Sequence, residues 1–431
     1  MEGNKVIKNA SWIISVRVVQ AILNMLISMI TARYLGPSNF GIINYAASIV
    51  AFAVPIMNLG LPNIMVQQIV MKPDKEGAIL GSSMLASFFS AILSIIGVVA
   101  FVFIANSGET ETIIVCILYS LSLLAQSFEI IRYWFQAKLL SKYTSLIALF
   151  SYVVVSAYKI ILLVTGKSVR WFAVSFMIDF IIIAIGSFIY YKKLGGQKFK
   201  FSGPLLKEMV KKSKYYIISD LMITVFAQTD RIMLNLMIDE TATGLYSAAT
   251  TCAAMTSFVF VAIIDSARPA IFESLKNGKE EFETNMARLY SIVIYFALAQ
   301  SVGIAILSKP IIYILYGSEY MGAVAALRLV VWYSTFSYLG SVRNIWMLAN
   351  GKEKLIWIID LSGAIANVVL NVLLIPRWGI MGASFASLFT QMFANVAMGF
   401  ILKEVRPNNM ILIKSLNPRY LMDMVKKIVK R

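Results

Sequence analysis

Arg17 and Arg231 each interrupt a long apolar run, and each belongs to a stripe of polar residues at helical spacing. Arg17, Gln20, Asn24, Ser28 and Thr31 share one narrow face of a 3.6-residue helix. Asp220, Thr224, Arg231 and Asn235 share another, with Gln228 close by. Two more stripes run through Asn44, Ser48, Pro55, Asn58 and Pro62, and through Ser247, Thr250, Ser257 and Asp265. A guanidinium in an apolar run packs poorly unless water or an anion meets it. The chemistry these residue types allow is capture rather than bond-breaking: guanidinium forks for an anion, amides and hydroxyls for a polar ligand. The candidate binding residues are therefore Arg17, Asn24, Asn44, Asn58, Arg231 and Asn235. For each Ser, Thr or Asn the rival reading is interhelical glue, which such side chains also provide in lipid.

Acidic residues inside apolar runs are candidates for ion or proton coupling. Asp220, Asp230 and Asp265 lie on or beside the polar stripes, so they carry that expectation. Asp179, Lys159 and Asp360 read equally well as structural partners, and Arg328 lies near enough to a helix end to snorkel. The chain has no histidine. That removes Ser–His and Cys–His catalysis, histidine metal sites and a histidine proton relay. Cys116 and Cys252 both lie in apolar stretches, which argues against a disulfide framework and leaves no supported catalytic thiol. No catalytic residue, metal or cofactor is expected.

These stripes must be carried by membrane-spanning helices. The chain is 59% hydrophobic and 14% charged over 431 residues, with a mean hydropathy of +0.76. A soluble domain is about 45–50% apolar and about 25% charged. A spanning helix needs about 20 mostly apolar residues, and runs such as FIIIAIGSFIYY are continuous rather than alternating, which favours helices over barrel strands. Twelve helices are expected near 11–32, 40–64, 78–104, 112–135, 144–164, 170–191, 215–237, 245–267, 289–307, 323–348, 354–375 and 380–402. The start, MEGNKVIKNASW, shows no cleavage site after a short apolar region, so the first helix is read as retained.

The net charge of +17 would suggest nucleic acid in a soluble chain. Here it follows the positive-inside rule and anionic lipid contact, so no nucleic-acid partner is expected. One alternate set of connections holds Lys5 and Lys8, Lys72 and Lys75, Arg132, Lys138 and Lys142, eight lysines from Lys192 to Lys214, and the basic C-terminal residues. The opposite set holds only Arg33, Lys167, Arg170, Lys309 and Arg377. Both termini are therefore expected in the cytoplasm. The Lys-rich connection 192–214 separates an N-terminal six-helix lobe, 1–191, from a C-terminal one, 215–403. A basic amphipathic tail, 404–431, is expected on the inner leaflet and is too short for another pair of spans. The lobes read as distant parallel repeats. GPSNFGIINYAA at 36–47 matches DETATGLYSAA at 239–249, and FQAKLLSKYTSLIAL matches MLANGKEKLIWIIDL. A path between repeats is then expected for the ligand.

ARYLGPSNFGIINYAAS at 32–48, QTDRIMLNLM and GLYSAA within 228–249, and LIPRWGIMGASFAS at 374–387 resemble the polysaccharide-transporter branch of the multidrug/oligosaccharidyl-lipid/polysaccharide (MOP) exporter superfamily. Within it the resemblance is to the O-antigen and capsule repeat-unit flippases of Wzx type. It implies a MATE-like all-α membrane fold of two six-helix lobes that rock between inward-open and outward-open states. It also implies a bacterial cytoplasmic membrane protein whose cargo is undecaprenyl-pyrophosphate-linked oligosaccharide, with a polysaccharide polymerase and glycosyltransferases as candidate partners. A diphosphate suits guanidinium geometrically, and the lipid tail can remain in the bilayer. Three rivals stand beside this reading. A multidrug exporter would want an acidic cavity for organic cations. A membrane polymerase or ligase would want a large outer loop, whereas KPIIYILYGSEYMG at 309–322 is the longest outer connection and is mostly apolar. A scramblase stays open.

Overall fold

The computed structural model describes the backbone from Glu2 to Met422 and side chains from Leu23 to Met422. Every regular element among the described residues is helical. Among the described residues, eight stretches are long and apolar enough to cross a membrane, or nine if one bent pair counts as a single span. By length and composition the count thus falls short of twelve. One of the eight, Leu23–Met71, takes in the second expected helix and the end of the first. The expected seventh and tenth helices carry the charges Asp220, Asp230, Arg231, Arg328 and Arg343 and are not among the eight. Large apolar side chains such as Phe89, Leu93, Ile104, Val164, Ile306 and Val369 are exposed along these helices, as lipid-facing surfaces require.

The chain packs as two compact units, one ending at Gly244 and the other beginning at Leu245. The first contains α1 (Glu2–Asn58), α2 (Pro62–Met71), α3 (Glu76–Ala105), α4 (Thr110–Ser120), α5 (Ser122–Gln126), α6 (Arg132–Ala137), α7 (Ser141–Val164), α8 (Val169–Lys193) and α9 (Gly203–Met237). It also takes in the first residues of α10 (Glu240–Ala254). Packing thus groups the seventh expected span, α9, with the first six.

α1 is broken at Gly36, whose φ of 73° lies in the left-handed region. Glycine carries no Cβ penalty there, and Pro37 next to it has no N–H to continue the ladder. The second segment of α1 ends at Leu59 and Gly60, with φ of 53° and 65°. A left-handed leucine is strained, and a neighbour holds it: Ser213 Oγ of α9 donates to the Leu59 carbonyl at 2.7 Å. One apolar core of this unit gathers Tyr45, Val98, Val115 and Phe172. A second gathers Met65, Ile79, Trp134, Tyr191 and Met209.

The 192–214 connection is ordered. Its residues 197–202 lie against the start of α3 as a strap. Lys200 N–H donates to the Gly77 carbonyl at 3.1 Å, and Gly77 N–H donates to Gln197 Oε1 at 3.1 Å. Ser202 N–H donates to Ser82 Oγ at 2.8 Å. A Cβ on Gly77 or Gly81 would overlap the carbonyl of Lys198 or Lys200, so the close approach requires glycine at both. Tyr191 stacks on Phe199 with ring centroids 4.8 Å apart. Beyond the strap, Glu208 accepts from Lys72 Nζ at 3.0 Å and from Lys212 Nζ at 2.7 Å.

The two lysines hold the Glu208 carboxyl down at about 2, below the usual carboxylate range of about 4.3. A carboxyl depressed by folding stabilises above its unfolded pKa, and that contribution fades as pH falls through the folded value. Wild type and Glu208→Gln are therefore expected to differ in thermal stability by a constant amount from pH 5 to 8. The difference narrows below about pH 4, the unfolded carboxyl range. A gap that widens on acidification would contradict this clasp.

The second unit contains the rest of α10, then α11 (Ser257–Ser274), α12 (Lys279–Tyr316), α13 (Ala323–Ala349), α14 (Lys354–Trp378), α15 (Ile380–Met392), α16 (Met398–Ile401) and α17 (Arg406–Lys414). A π-turn at Phe393–Ala397 interrupts the last span, and Arg343 of α13, 1% exposed, answers it. Arg343 Nη1 donates to the Ala394 carbonyl at 2.8 Å, and Nη2 donates to Asn344 Oδ1 at 3.1 Å. This buried arginine is a structural strut. Arg343→Leu leaves a buried carbonyl unsatisfied, which typically costs about 1–3 kcal/mol. The variant is expected to melt at a clearly lower temperature in detergent, and an unchanged melting temperature would contradict the role. α17 docks on α12, with Tyr290 Oη donating to Asn408 Oδ1 at 3.0 Å. The tail's first part is thus packed on the protein, while residues 423–431 lie outside the described residues.

Candidate functional site

Several polar residues of the first unit meet along one seam, where the second segment of α1 runs against α9. The seam has three stations. Near its middle, Gln228 Oε1 accepts from Ser48 Oγ at 2.9 Å and from Arg231 Nη1 at 3.0 Å. One amide oxygen thus ties the guanidinium of α9 to the hydroxyl of α1. Seven and eight residues apart on α9, these stations spread the polar groups on the order of 20 Å along the helix axis. Toward the start of α9, Asn63 Nδ2 donates to Asp220 Oδ2 at 3.2 Å, beside the break at Leu59 and Gly60. At the other end, Asn106 Nδ2 donates to Asn235 Oδ1 at 3.4 Å and to Glu109 Oε2 at 2.9 Å, while Tyr45 Oη donates to Asn106 Oδ1 at 2.7 Å. The Asn235 amide nitrogen is buried with no hydrogen-bond partner.

The sequence-expected residues fall in different places. Arg231, Asn235 and Asp220 lie on the seam. Asn44 is next to it, but its amide donates to the Phe40 carbonyl at 2.8 Å within its own helix. Asn58 is half-buried at the end of α1, where its carbonyl accepts from Leu61 N–H at 2.9 Å. Asn24 is exposed on the first segment of α1, and Asp230 is buried on α9. The Arg17 side chain lies outside the described residues. Asp265 belongs to the second unit, where it is exposed and paired with Arg268 one turn on, at 3.1 Å. Elsewhere in the first unit, Asp179 accepts from Ser151 Oγ at 2.5 Å and Glu129 pairs with Arg132 at 3.5 Å.

Several seam residues escape a spacing argument. Asn63 and Asn106 lie at helix ends in LPNI and ANSG, where asparagine ordinarily reads as a turn residue. Tyr45 reads as core. Gln228 is visible on the α9 stripe, yet nothing in its spacing shows that its oxygen bridges two helices.

The seam can present a guanidinium, several amides and a carboxylate to a polar ligand beside a broken helix. Irregular backbone at membrane depth is tolerated only where it is buried or lines a cavity. Residues 6–275 match the family model described as polysaccharide biosynthesis protein. Among solved structures, the chain is similar to the lipid II flippase MurJ in an inward closed conformation, at 14% identity and a TM-score of 0.71, covering 95% of this chain and 92% of that one. It is also similar to a multidrug resistance MATE family transporter of the MOP superfamily in its inward-facing conformation, at 14% identity and a TM-score of 0.65, covering 92% and 96%. A third match, at 14% identity and a TM-score of 0.63 covering 95% and 96%, is a MOP superfamily transporter from Pyrococcus furiosus, whose reversed binding-pocket polarity suggests a different function. No relative matches among the curated proteins.

Proposed function

The chain belongs to the polysaccharide biosynthesis protein family and has the fold of the MOP superfamily, and on that premise we propose that it is a flippase for lipid-linked oligosaccharides. The cargo is an undecaprenyl-pyrophosphate-linked repeat unit, as for the Wzx-type proteins of O-antigen and capsule synthesis. It is carried from the cytoplasmic to the outer leaflet of a bacterial cytoplasmic membrane by alternating access, with no covalent chemistry. Both termini and the strap face the cytoplasm.

The observation that carries the reading is Arg231 on the polar seam, tied through Gln228 to Ser48. A pyrophosphate suits guanidinium forks, and the remaining amides and hydroxyls suit sugar. A site for organic cations would be acidic instead. Arg17 is assigned to the same headgroup, and Asn24, Asn44, Asn58 and Asn235 to the sugar path. Asp220, Asp230 and Asp265 are the candidates for ion coupling. The purified chain in liposomes is expected to flip a pyrophosphate-linked oligosaccharide and not to export an organic cation. Cation export without lipid-linked sugar flipping would overturn the proposal. Impermeant labelling of a single cysteine at position 200 from inside, and not from outside, is the matching topology result.

A further inference from the structure

Beside the strap the first unit has a half-open pocket lined by several charged residues, separate from the seam. It has a volume of about 810 Å³, and Lys72, Lys75, Lys198 and Lys200 line it with only Asp74 and Glu208 as acids. Lys72 is committed to Glu208 at 3.0 Å. Among the described residues no carboxylate lies within salt-bridge distance of Lys75, Lys198 or Lys200. The walls are held in place. Gln197 Nε2 donates to the Pro73 carbonyl at 2.9 Å, so the turn carrying Lys75 and the strap carrying Lys198 and Lys200 are fixed to each other.

A second feature points the same way. α9 begins at Gly203, and Ser202, Pro204 and Leu205 line the cavity. This 35-residue helix has no side-chain cap and no acid in its first turn. The positive end of its dipole therefore lies beside the same space as three lysines, which favours a phosphate there. Val70, Met71 and Phe201, the neighbours of this wall, are exposed and apolar. A soluble anion has no use for them, whereas a lipid whose headgroup enters the cavity would lay its chains there.

We propose that this cavity binds the phosphate headgroup of an anionic membrane phospholipid, with Lys75, Lys198, Lys200 and the start of α9 as its ligands. The site is independent of the cargo, because it shares no residue with the seam. It anchors the strap to the membrane surface, where the negative leaflet also concentrates the ligand.

Native mass spectrometry of the full chain, given equimolar phosphatidylglycerol and phosphatidylcholine, tests it. The first bound lipid is expected to be phosphatidylglycerol by at least tenfold, with the preference falling as ionic strength rises. The triple variant Lys75→Gln, Lys198→Gln, Lys200→Gln is expected to lose that preference at least tenfold while keeping the wild-type melting temperature. The corresponding triple arginine variant is expected to retain it, which separates loss of charge from loss of fold. Equal retention of phosphatidylglycerol by wild type and the folded glutamine variant would overturn the site. Displacement of the lipid by an equimolar amount of inorganic phosphate would overturn its assignment to a phospholipid.

Discussion

Replacing Arg231 by alanine is expected to lower flipping of a lipid-linked oligosaccharide by roughly tenfold to a hundredfold while the protein still inserts and folds. Hydrogen bonds to charged groups contribute about 1.5–3 kcal/mol net, and about 1.4 kcal/mol is a factor of ten in affinity. The guanidinium is oriented by Gln228 Oε1, 3.0 Å from Nη1, and that oxygen is itself fixed by Ser48 across the seam. Gln228 is thus one of the groups that orient the guanidinium. Gln228→Leu is expected to weaken flipping less than Arg231→Ala, because it removes the guide and keeps the charge. Arg231→Lys keeps a cation but loses the fork, so it is expected to retain part of the activity. Retained folding of the alanine variant is the expected outcome, and its melting temperature in detergent checks it. Wild-type flipping by a stable Arg17→Ala, Arg231→Ala double variant would end the headgroup assignment.

Long apolar helices bounded by charge were legible. The expected 78–104, 170–191 and 354–375 became Glu76–Ala105, Val169–Lys193 and Lys354–Trp378. In each case lysine, glycine or a polar residue marks where the apolar run meets water. Breaks inside spans were not legible. The expected helix 40–64 stops at Asn58, because Leu59 and Gly60 take left-handed backbone, and leucine carries no sign of that. The conformation is held by Ser213, 154 residues further along the chain. The strap was read only as a lysine-rich connection. Its order comes from Gly77, Gly81 and Ser82 on a different helix, which alternation and charge cannot reveal.

The site shows the same division. Spacing put Asn44 and Ser48 on one face, which is correct for the backbone. It could not show that Asn44 turns its amide to its own helix while Ser48 reaches across to Gln228. Stripes report the face of a helix, and partner choice depends on which neighbour arrives there.

Gly41→Leu and Gly244→Leu are each expected to abolish flipping and to lower the melting temperature. The two glycines occupy matching places in the repeat that runs through GPSNFGIINYAA and DETATGLYSAA, and they lie face to face in the first unit. A Cβ on Gly41 would overlap the Glu240 carbonyl and come within 2.9 Å of the Gly244 nitrogen. A Cβ on Gly244 would overlap the Pro37 carbonyl and come within 3.1 Å of the Gly41 nitrogen. All these obstacles are backbone, which cannot rotate aside as a side chain does. Overpacking of this kind typically costs about 1–3 kcal/mol even where neighbours can relax. Here the relief available is to push the second segment of α1 away from the first turn of α10, Glu240 to Gly244, within the first unit. The seam runs along the same segment, so the Ser48–Gln228 bridge opens with it and Arg231 loses its guide. Alanine at one position is expected to give a smaller loss of the same kind. The double alanine variant then decides between a shared contact and two separate ones. Once the first methyl has parted the helices, the second meets less resistance, so the two costs are expected to sum to more than the double variant shows. Additive losses would mean that the glycines serve different contacts, and wild-type flipping by either leucine variant would mean that this crossing does not hold the seam.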